Sequence, residues 1–451
     1  MARLNNVGSE QRLTSYLDRI GNLLGHAKRR ACFAAYATGL MGNSERKSVE
    51  PIAAAQCPDP QKIDAAHQRL LHFVGQSEWQ DAPIRQFAAR HALEEMMARE
   101  SVEAWIFDDT GFLKQGKHSV GVQRQYTGSA GKITNCQVGA SLTLATRTMQ
   151  LPVDFELYLP QSWTEDIERR RKAKVPDSIE FRTKPQLALE MAERALAAKL
   201  PKGIVLADAA YGNNGDFRVG LRKLGLSYAV DIEGNTKMRV ISKNGRPGRA
   251  KSAHEVGLAL GVGRYRRVTW REGSKKTLGS NFASCRVVIE KDAKKLGRRE
   301  EIWLLIEWPD DEPAPTKFTL LSLPKKTSTV QMVRVSRQRW RTERVYEDMK
   351  GELGLDHFEG RGYPGWHHHV TVALTCYAFV AAEHARAFPP SAGRPRRDSS
   401  QRRAARASLQ RLAHHRPARC GTRHRSVVAA LPDMPTPERS AAPNAAALVT
   451  Q

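Results

Sequence analysis

Between positions 10 and 100, apolar residues recur at the three- and four-residue spacing of helices. Segments 28–40 and 84–100 mix Ala, Leu, Met, Arg and Glu in that rhythm and predict amphipathic helices. Asn43 and Ser44, followed by Glu45, Arg46 and then Pro51, predict a further helix start. An all-helical N-terminal domain over 1–101 follows. At Ala104 the rhythm changes. The run 104–112 reads as a strand entering a turn. Segments 119–126 and 133–144 read as further strands, with a hairpin-like turn at 128–132. Next come a helix at 186–200, an apolar run at 203–208 ending in Asp208, a helix at 216–224 and a strand at 226–232. Antiparallel strands followed by alternating helix and strand predict an α/β domain with a mixed sheet, its first part spanning 102–236.

Residues 237–325 interrupt that alternation with basic, Gly-rich sequence and strand signals at 265–270, 285–290, 301–307 and 319–323. They predict a β-rich insertion. One long helix is then expected over 327–353, ended by Gly354, and a more apolar one over 367–387. Together, 326–388 would supply the C-terminal helices of the α/β domain. The stretch 389–451, rich in Arg, Ala, Pro and Ser and without aromatic residues, is expected to be a disordered basic tail.

Composition narrows the class. The 451 residues carry 72 Lys+Arg against 47 Asp+Glu, a net charge of +25 that favours a polyanionic partner. From Arg386 onward there are 13 Arg, no Lys and 3 acids. About +10 therefore belongs to the tail and +15 to the rest. With 41% hydrophobic residues, bulk disorder is excluded. Cys32, Cys57, Cys136, Cys285, Cys376 and Cys420 are scattered and suggest neither a disulfide framework nor a zinc site. The N-terminus lacks a signal-peptide run. The longest apolar stretch, 370–382, is too short to span a bilayer. The expected location is the cytoplasm, with no membrane partner and no organic cofactor.

Three carboxylates stand out by position. Asp109 and Asp208 end strands, and Glu343 lies on the long helix. Such a trio can converge on one point and hold magnesium through hard oxygen ligands. Two such ions can activate water and stabilise the leaving oxygen of a phosphodiester. Arg339 and Lys350 lie four residues before and seven after Glu343, on its helical face. Val335, Val345, Tyr346, Met349 and Leu353 form a different side, suited to seat the helix on the sheet. The alternative for Arg339 and Glu343 is a plain surface ion pair. Arg264, Arg266, Arg267, Arg271, Lys275 and Lys276, interleaved with Tyr265 and Trp270, form a candidate DNA-contacting strand and loop, or a charged edge strand. His367, His368 and His369 are adjacent on a helix, so they point apart and are read as packing residues.

The segments WIFDDTGFLKQGKHSVGVQRQYTGSAGKITNCQVGASL (105–142), VLADAAYGNNGDFR (205–218) and RWRTERVYEDMKGELGLDHFEGRGYPGWHHHVT (339–371) carry a resemblance. The chain resembles bacterial insertion-sequence transposases of the DDE type, in the IS4-like group and most closely the IS701 family. The resemblance implies a ribonuclease H-like catalytic domain with a β-rich insertion, cutting and joining double-stranded DNA with Mg2+, for which Mn2+ can substitute. It implies catalytic and metal-binding roles for Asp109, Asp208 and Glu343, with Asp108 as the alternative to Asp109. Arg339 and Lys350 fit the group's Arg and Lys around its Glu, while Ser336 stands where the group carries Tyr. Terminal inverted repeats and target DNA are the implied partners, with the helical N-terminal domain reading the repeats and a homodimer bringing two ends together. A stand-alone metal-dependent nuclease and an inactive DNA-binding remnant are the alternatives.

Overall fold

The computed structural model describes residues 6–272 and 277–387. Five helices come first: α1 (Asn6–Leu24), α2 (Ala27–Met41), α3 (Val49–Gln56), α4 (Ile63–Gly75) and α5 (Ala82–Met97). Their apolar stripes bury Tyr16, Ile20, Phe33, Tyr36, Leu40 and Phe73. Each such side chain contributes about 1.5–3 kcal/mol by leaving water.

Then follow β1 (Ala104–Leu113), β2 (Gln123–Thr127), β3 (Lys132–Ala145) and β4 (Gln150–Tyr158). After the short α6 (Gln161–Thr164) and α7 (Ile167–Lys172) come α8 (Lys184–Ala197), β5 (Ile204–Ala207), α9 (Ala209–Gly212), α10 (Gly215–Lys223) and β6 (Tyr228–Ile232). The block expected as an insertion contains β7 (Lys237–Ile241), β8 (Pro247–Ser252), α11 (Ala253–Leu260), β9 (Arg266–Glu272), β10 (Thr277–Val288), α12 (Glu290–Leu296), β11 (Ile302–Trp308) and β12 (Lys317–Leu321). The described chain closes with α13 (Thr329–Ser336), α14 (Trp340–Leu353) and α15 (Tyr363–Ala387).

The strands form one mixed sheet in the order β2-β3-β1-β5-β6-β12-β11-β10-β7-β8, with β4 paired to β3 and β9 to β10. β1, β5 and β6 run parallel, and β3 is antiparallel to β1. β1 is buried on both faces, as a central strand must be, which explains its nearly unbroken apolar start. The strand-rich block is not a separate sheet: β12 pairs antiparallel with β6 and carries the ladder outward. β4 was not foreseen; Pro152 interrupts its ladder at a register shift opposite Leu142 and Thr143.

The first five helices share their core with the sheet. One hydrophobic cluster runs from Tyr16 and Phe33 through Trp105 and Phe155 to Val370 and Phe379, and the described residues fall in one compact unit. The boundary near 101 is therefore a change of secondary structure inside a continuous core. α15 is the central pin. His368 faces the carbonyls of Val74 and Trp79, at 2.8 and 3.1 Å. His369 meets Tyr36 Oη at 2.9 Å and the Gly354 carbonyl at 3.1 Å. The three histidines pack in different directions.

The single long helix expected over 327–353 is two helices joined by a 3-10 turn at Arg337–Arg339. No Gly or Pro marks the break. It falls where three consecutive side chains are tied to the sheet side: Arg337 to Glu307, Gln338 to Glu103 and Arg339 to Asp108. The tail expected over 389–451 lies outside the described residues.

Candidate active site

The carboxyl ends of β5 and β6 lie beside the middle of β1, with Asp208 directly after β5 and Asp231 near the end of β6. Ligands of open α/β sheets bind at such strand ends. Asp108 and Asp109 stand inside β1, which does not end at Asp109 as expected but runs on to Leu113, paired with β3 throughout. α14 crosses the same region with Thr342, Val345, Tyr346, Met349 and Leu353 buried. It is seated by Tyr346 Oη on Ser141 Oγ (2.6 Å) and Thr342 Oγ1 on Thr143 Oγ1 (3.2 Å). Because side chains alternate along a strand, only one of Asp108 and Asp109 can face α14. Asp108 is paired with Ser141 in the ladder, so Asp108 is that residue.

Arg339 is the hub. One guanidinium nitrogen contacts Asp108 at 2.9 Å and another contacts Glu343 at 3.3 Å. Burial works against its charge, yet Asp108, Asp231, Glu343 and Asp208 together hold its pKa above the ordinary value. Burial pushes the Asp108 carboxyl up to about 7, with Arg339 pulling down and Asp208 and Asp109 pushing up. Burial likewise raises Asp231, whose carboxylate accepts a hydrogen bond from Thr319 at 2.6 Å.

Asp208 caps α9 by accepting from the Ala210 amide at 2.9 Å. The α9 turn is pressed onto β6, since a Cβ at Gly212 would lie 1.9 Å from the Asp231 carbonyl oxygen. Arg218, buried behind it, donates to the Gly212 carbonyl and forms a two-pronged pair with Asp292 of α12 at 2.7 and 2.8 Å.

Asp109, the expected first acid, looks the other way. Its carboxylate is held by Lys184 Nζ at 3.0 Å and Tyr211 Oη at 3.3 Å. The structure thus gathers Asp208, Glu343 and Arg339 around Asp108 rather than Asp109. Lys350 is not aligned on the acids either. Its Nζ donates to the Gly111 carbonyl at 2.7 Å and Ser129 Oγ at 3.1 Å, just beyond them, and burial lowers its pKa. Asp231 and Lys184 were missed. The strand-end rule that picked Asp208 also fits Asp231; nothing in the sequence around Lys184 announces its contact with Asp109.

A cavity of about 330 Å3 opens beside Glu343 and Arg339, walled by Asp231, Trp270, Phe282, Arg337 and Trp340. Through Trp270, the strand β9 reaches the site. The basic segment itself is mixed in role. Arg264 is exposed. Arg266 donates to the Gly263 and Tyr265 carbonyls, and Arg267 pairs with Asp310. Tyr265, interleaved with these basic residues in the candidate DNA-contacting segment, is 7% exposed and donates to the Gly257 carbonyl. The Arg271 side chain, Lys275 and Lys276 lie outside the described residues.

Among the described residues no group of three His, Cys, Asp or Glu stands close enough to hold a metal. The donor set nevertheless suits a hard divalent cation: its oxygens are all carboxylate, and four acids act on one guanidinium that occupies the place of a cation among them. No helix among the described residues is long and apolar enough to cross a membrane.

A family model described as DDE superfamily endonuclease matches residues 19–277, and one described as transposase DDE domain matches 180–379. Over 206 residues the chain is 29% identical to the probable transposase for insertion sequence element IS701 of Microchaete diplosiphon, covering 46% of this chain and 49% of that protein. The chain thus matches about half the length of this curated relative. A piggyBac transposase synaptic complex with hairpin DNA aligns over 88% of this chain and 74% of its own, at 10% identity and a TM-score of 0.44, too distant a likeness to carry an argument. With more than half its length matched by that first family model, the chain belongs to the DDE superfamily of endonucleases.

Proposed function

We propose that this protein is an insertion-sequence transposase whose ribonuclease H-like domain cuts phosphodiester bonds at the element's terminal inverted repeats. It then joins the freed 3′-hydroxyls to target DNA. The observation that carries this reading is the convergence of Asp108, Asp208, Asp231 and Glu343 on Arg339 beside the ends of β5 and β6. The strand order β3-β1-β5-β6, with only β3 antiparallel, supports the ribonuclease H-like assignment.

Asp208, Glu343 and Asp108 would hold magnesium, or manganese in its place; Asp109 is the less favoured first acid. When bound, the ions would activate the attacking oxygen and stabilise the leaving one. The protein's own residues do the positioning. Arg339 presents a planar donor fork that suits a phosphate's oxygens. Lys350, fixed on the carbonyl after Thr110, places a positive charge past the acids. Asp108, with its carboxyl at about 7, gives up its proton before it can serve as a ligand. Arg264, Arg266, Arg267, Arg271, Lys275 and Lys276 would follow the DNA backbone outward. The N-terminal helices would read the repeats, and two copies would pair two ends in the cytoplasm.

The test is incubation of the purified protein with linear DNA bearing the element's own ends, a supercoiled target plasmid and magnesium. Joined products are expected. Cutting without joining would make the protein a nuclease alone.

A further inference from the structure

β1 and α14 cross the acids in the same direction. Thr342 meets Thr143, the ladder partner of Ile106, and Tyr346 meets Ser141, the partner of Asp108. Lys350 then reaches the Gly111 carbonyl. Both elements therefore lead to one place beyond the acids. β1 continues there as the segment 114–122, and α14 as the segment 354–362. Lys114 Nζ ties the two by donating to the Phe358 carbonyl.

A third segment, α7 with the residues after it, closes the group. Arg169, stacked on Trp163, donates to the Lys117 carbonyl at 3.1 Å, and the Trp163 indole donates to the Val122 carbonyl at 2.8 Å. The Val120 amide donates to the Arg361 carbonyl at 3.0 Å, and the Tyr363 amide to the Ala173 carbonyl at 2.7 Å. Connecting segments are ordinarily the mobile part of a fold, yet these three are bonded to one another. They carry Lys117, Lys174 and Arg361 to the surface, where all three side chains are exposed. None of the three meets an acid among the described residues. The acids nearby are already taken, Glu168 by Arg171 and Lys172, and Glu359 by Arg46. Residues 114–122, 167–177 and 354–363 hold eight Lys and Arg against four acids, so the surface attracts a polyanion.

Its position says which one. Five strand residues separate Asp108 from Leu113, a reach of about 17 Å, which is about five base pairs of duplex. The cavity that Trp270 of β9 shares with Arg339 lies at the other end of α14. The acids thus stand between two basic surfaces, as a cut in the middle of a duplex requires.

We infer that Lys117, Lys174 and Arg361 grip the phosphate backbone of the duplex arm that leaves the acid site past Lys350, starting about five base pairs from the cut. This rests on the proposed function, because it assumes that DNA occupies the acid site.

The test uses full-length protein without divalent metal, so that DNA is bound but not cut. The probe is duplex DNA of the element's end with a long arm on each side of the cut. The triple variant Lys117→Ala, Lys174→Ala, Arg361→Ala should melt like the wild type. Its slope of log affinity against log salt should be shallower by about 2 to 3, and that of Lys117→Ala alone by about 1. Lys117→Arg should keep the wild-type slope. Cutting one of the two arms back to about four base pairs should erase the difference between the proteins, and cutting back the other should leave it. Equal slopes on the long-armed DNA, or a difference that survives the shortening of either arm, would overturn the inference and leave the transposase reading standing. Failure of the wild type to bind the ends would overturn both. Loss of self-association in the triple variant with unchanged DNA binding would overturn it in favour of a contact between copies of the chain.

Discussion

The link between the outer strands and the acid site can be tested through Asp292. Its carboxylate takes both prongs of Arg218, whose side chain is 4% exposed, and the third guanidinium nitrogen donates to Gly212. Asp292→Ala leaves a buried guanidinium with only the Gly212 carbonyl. Breaking one side of a buried pair costs about 3–5 kcal/mol, because the remaining charge is uncompensated. That is a large part of the roughly 5–15 kcal/mol that holds a domain folded. Replacing both partners with apolar residues, Arg218→Met with Asp292→Leu, should return stability to within about 2 kcal/mol of wild type. Urea unfolding at neutral pH measures both. The double variant should still cut DNA slowly, because Gly212, whose amide donates to the Asp208 carbonyl at 2.7 Å, has lost its tether. A loss below about 1 kcal/mol for Asp292→Ala would show that water reaches the pair and refute the reasoning. Full activity in the double variant would remove Arg218 from any role in holding Asp208.

Three further outcomes follow from the same geometry. Asp108→Asn should slow DNA cleavage at least about a hundredfold and Asp109→Asn markedly less, in single-turnover assays of folded protein; the reverse order would restore Asp109 as the first acid. Gly212→Ala should lower the melting temperature and cleavage together, since its Cβ would collide with the Asp231 carbonyl; a variant equal to wild type would show that the α9 turn can shift freely. Burial holds His369 down at about 4 against a usual value near 6.5, so it stays neutral in the fold while the unfolded chain takes a proton. Its contribution is intact above pH 6.5 and is lost as pH falls toward 4, by about 2 kcal/mol at pH 5. Burial also keeps Asp108 and Glu156 up at about 7, and they oppose this trend. The clean reading is therefore the difference between wild type and His369→Asn, and identical pH slopes for the two would contradict it.

Much of this site was legible because chemistry and period coincide. Asp208 closes an apolar run, and Glu343 sits between Arg339 and Lys350 on a helix whose opposite side is apolar; both end up beside the strand ends. The choice between Asp108 and Asp109 was not legible. Adjacent strand residues face opposite ways, and which face receives α14 is decided by tertiary packing, through Ser141 and Tyr346. The kink before α14 was hidden for a similar reason. Helix propensity runs unbroken through Arg337–Arg339, and only the acids that these arginines meet, far away in sequence, bend the chain. Tyr265 and Trp270 stand among arginines, but Tyr265 lies just before β9, buried with its hydroxyl on the Gly257 carbonyl of α11, while Trp270 on β9 lines the cavity.

The central claim is that Glu343, gathered with Asp108 and Asp208 around Arg339, belongs to a DNA-cutting centre. The direct measurement is magnesium-dependent cleavage of DNA carrying the element's own ends, by wild type and by Glu343→Gln. Both proteins are first matched for folding and for binding to the same DNA. The wild type should release 3′-hydroxyl ends, and Glu343→Gln should bind equally well yet cut at least about a hundredfold more slowly. Equal cutting by the two would contradict the account.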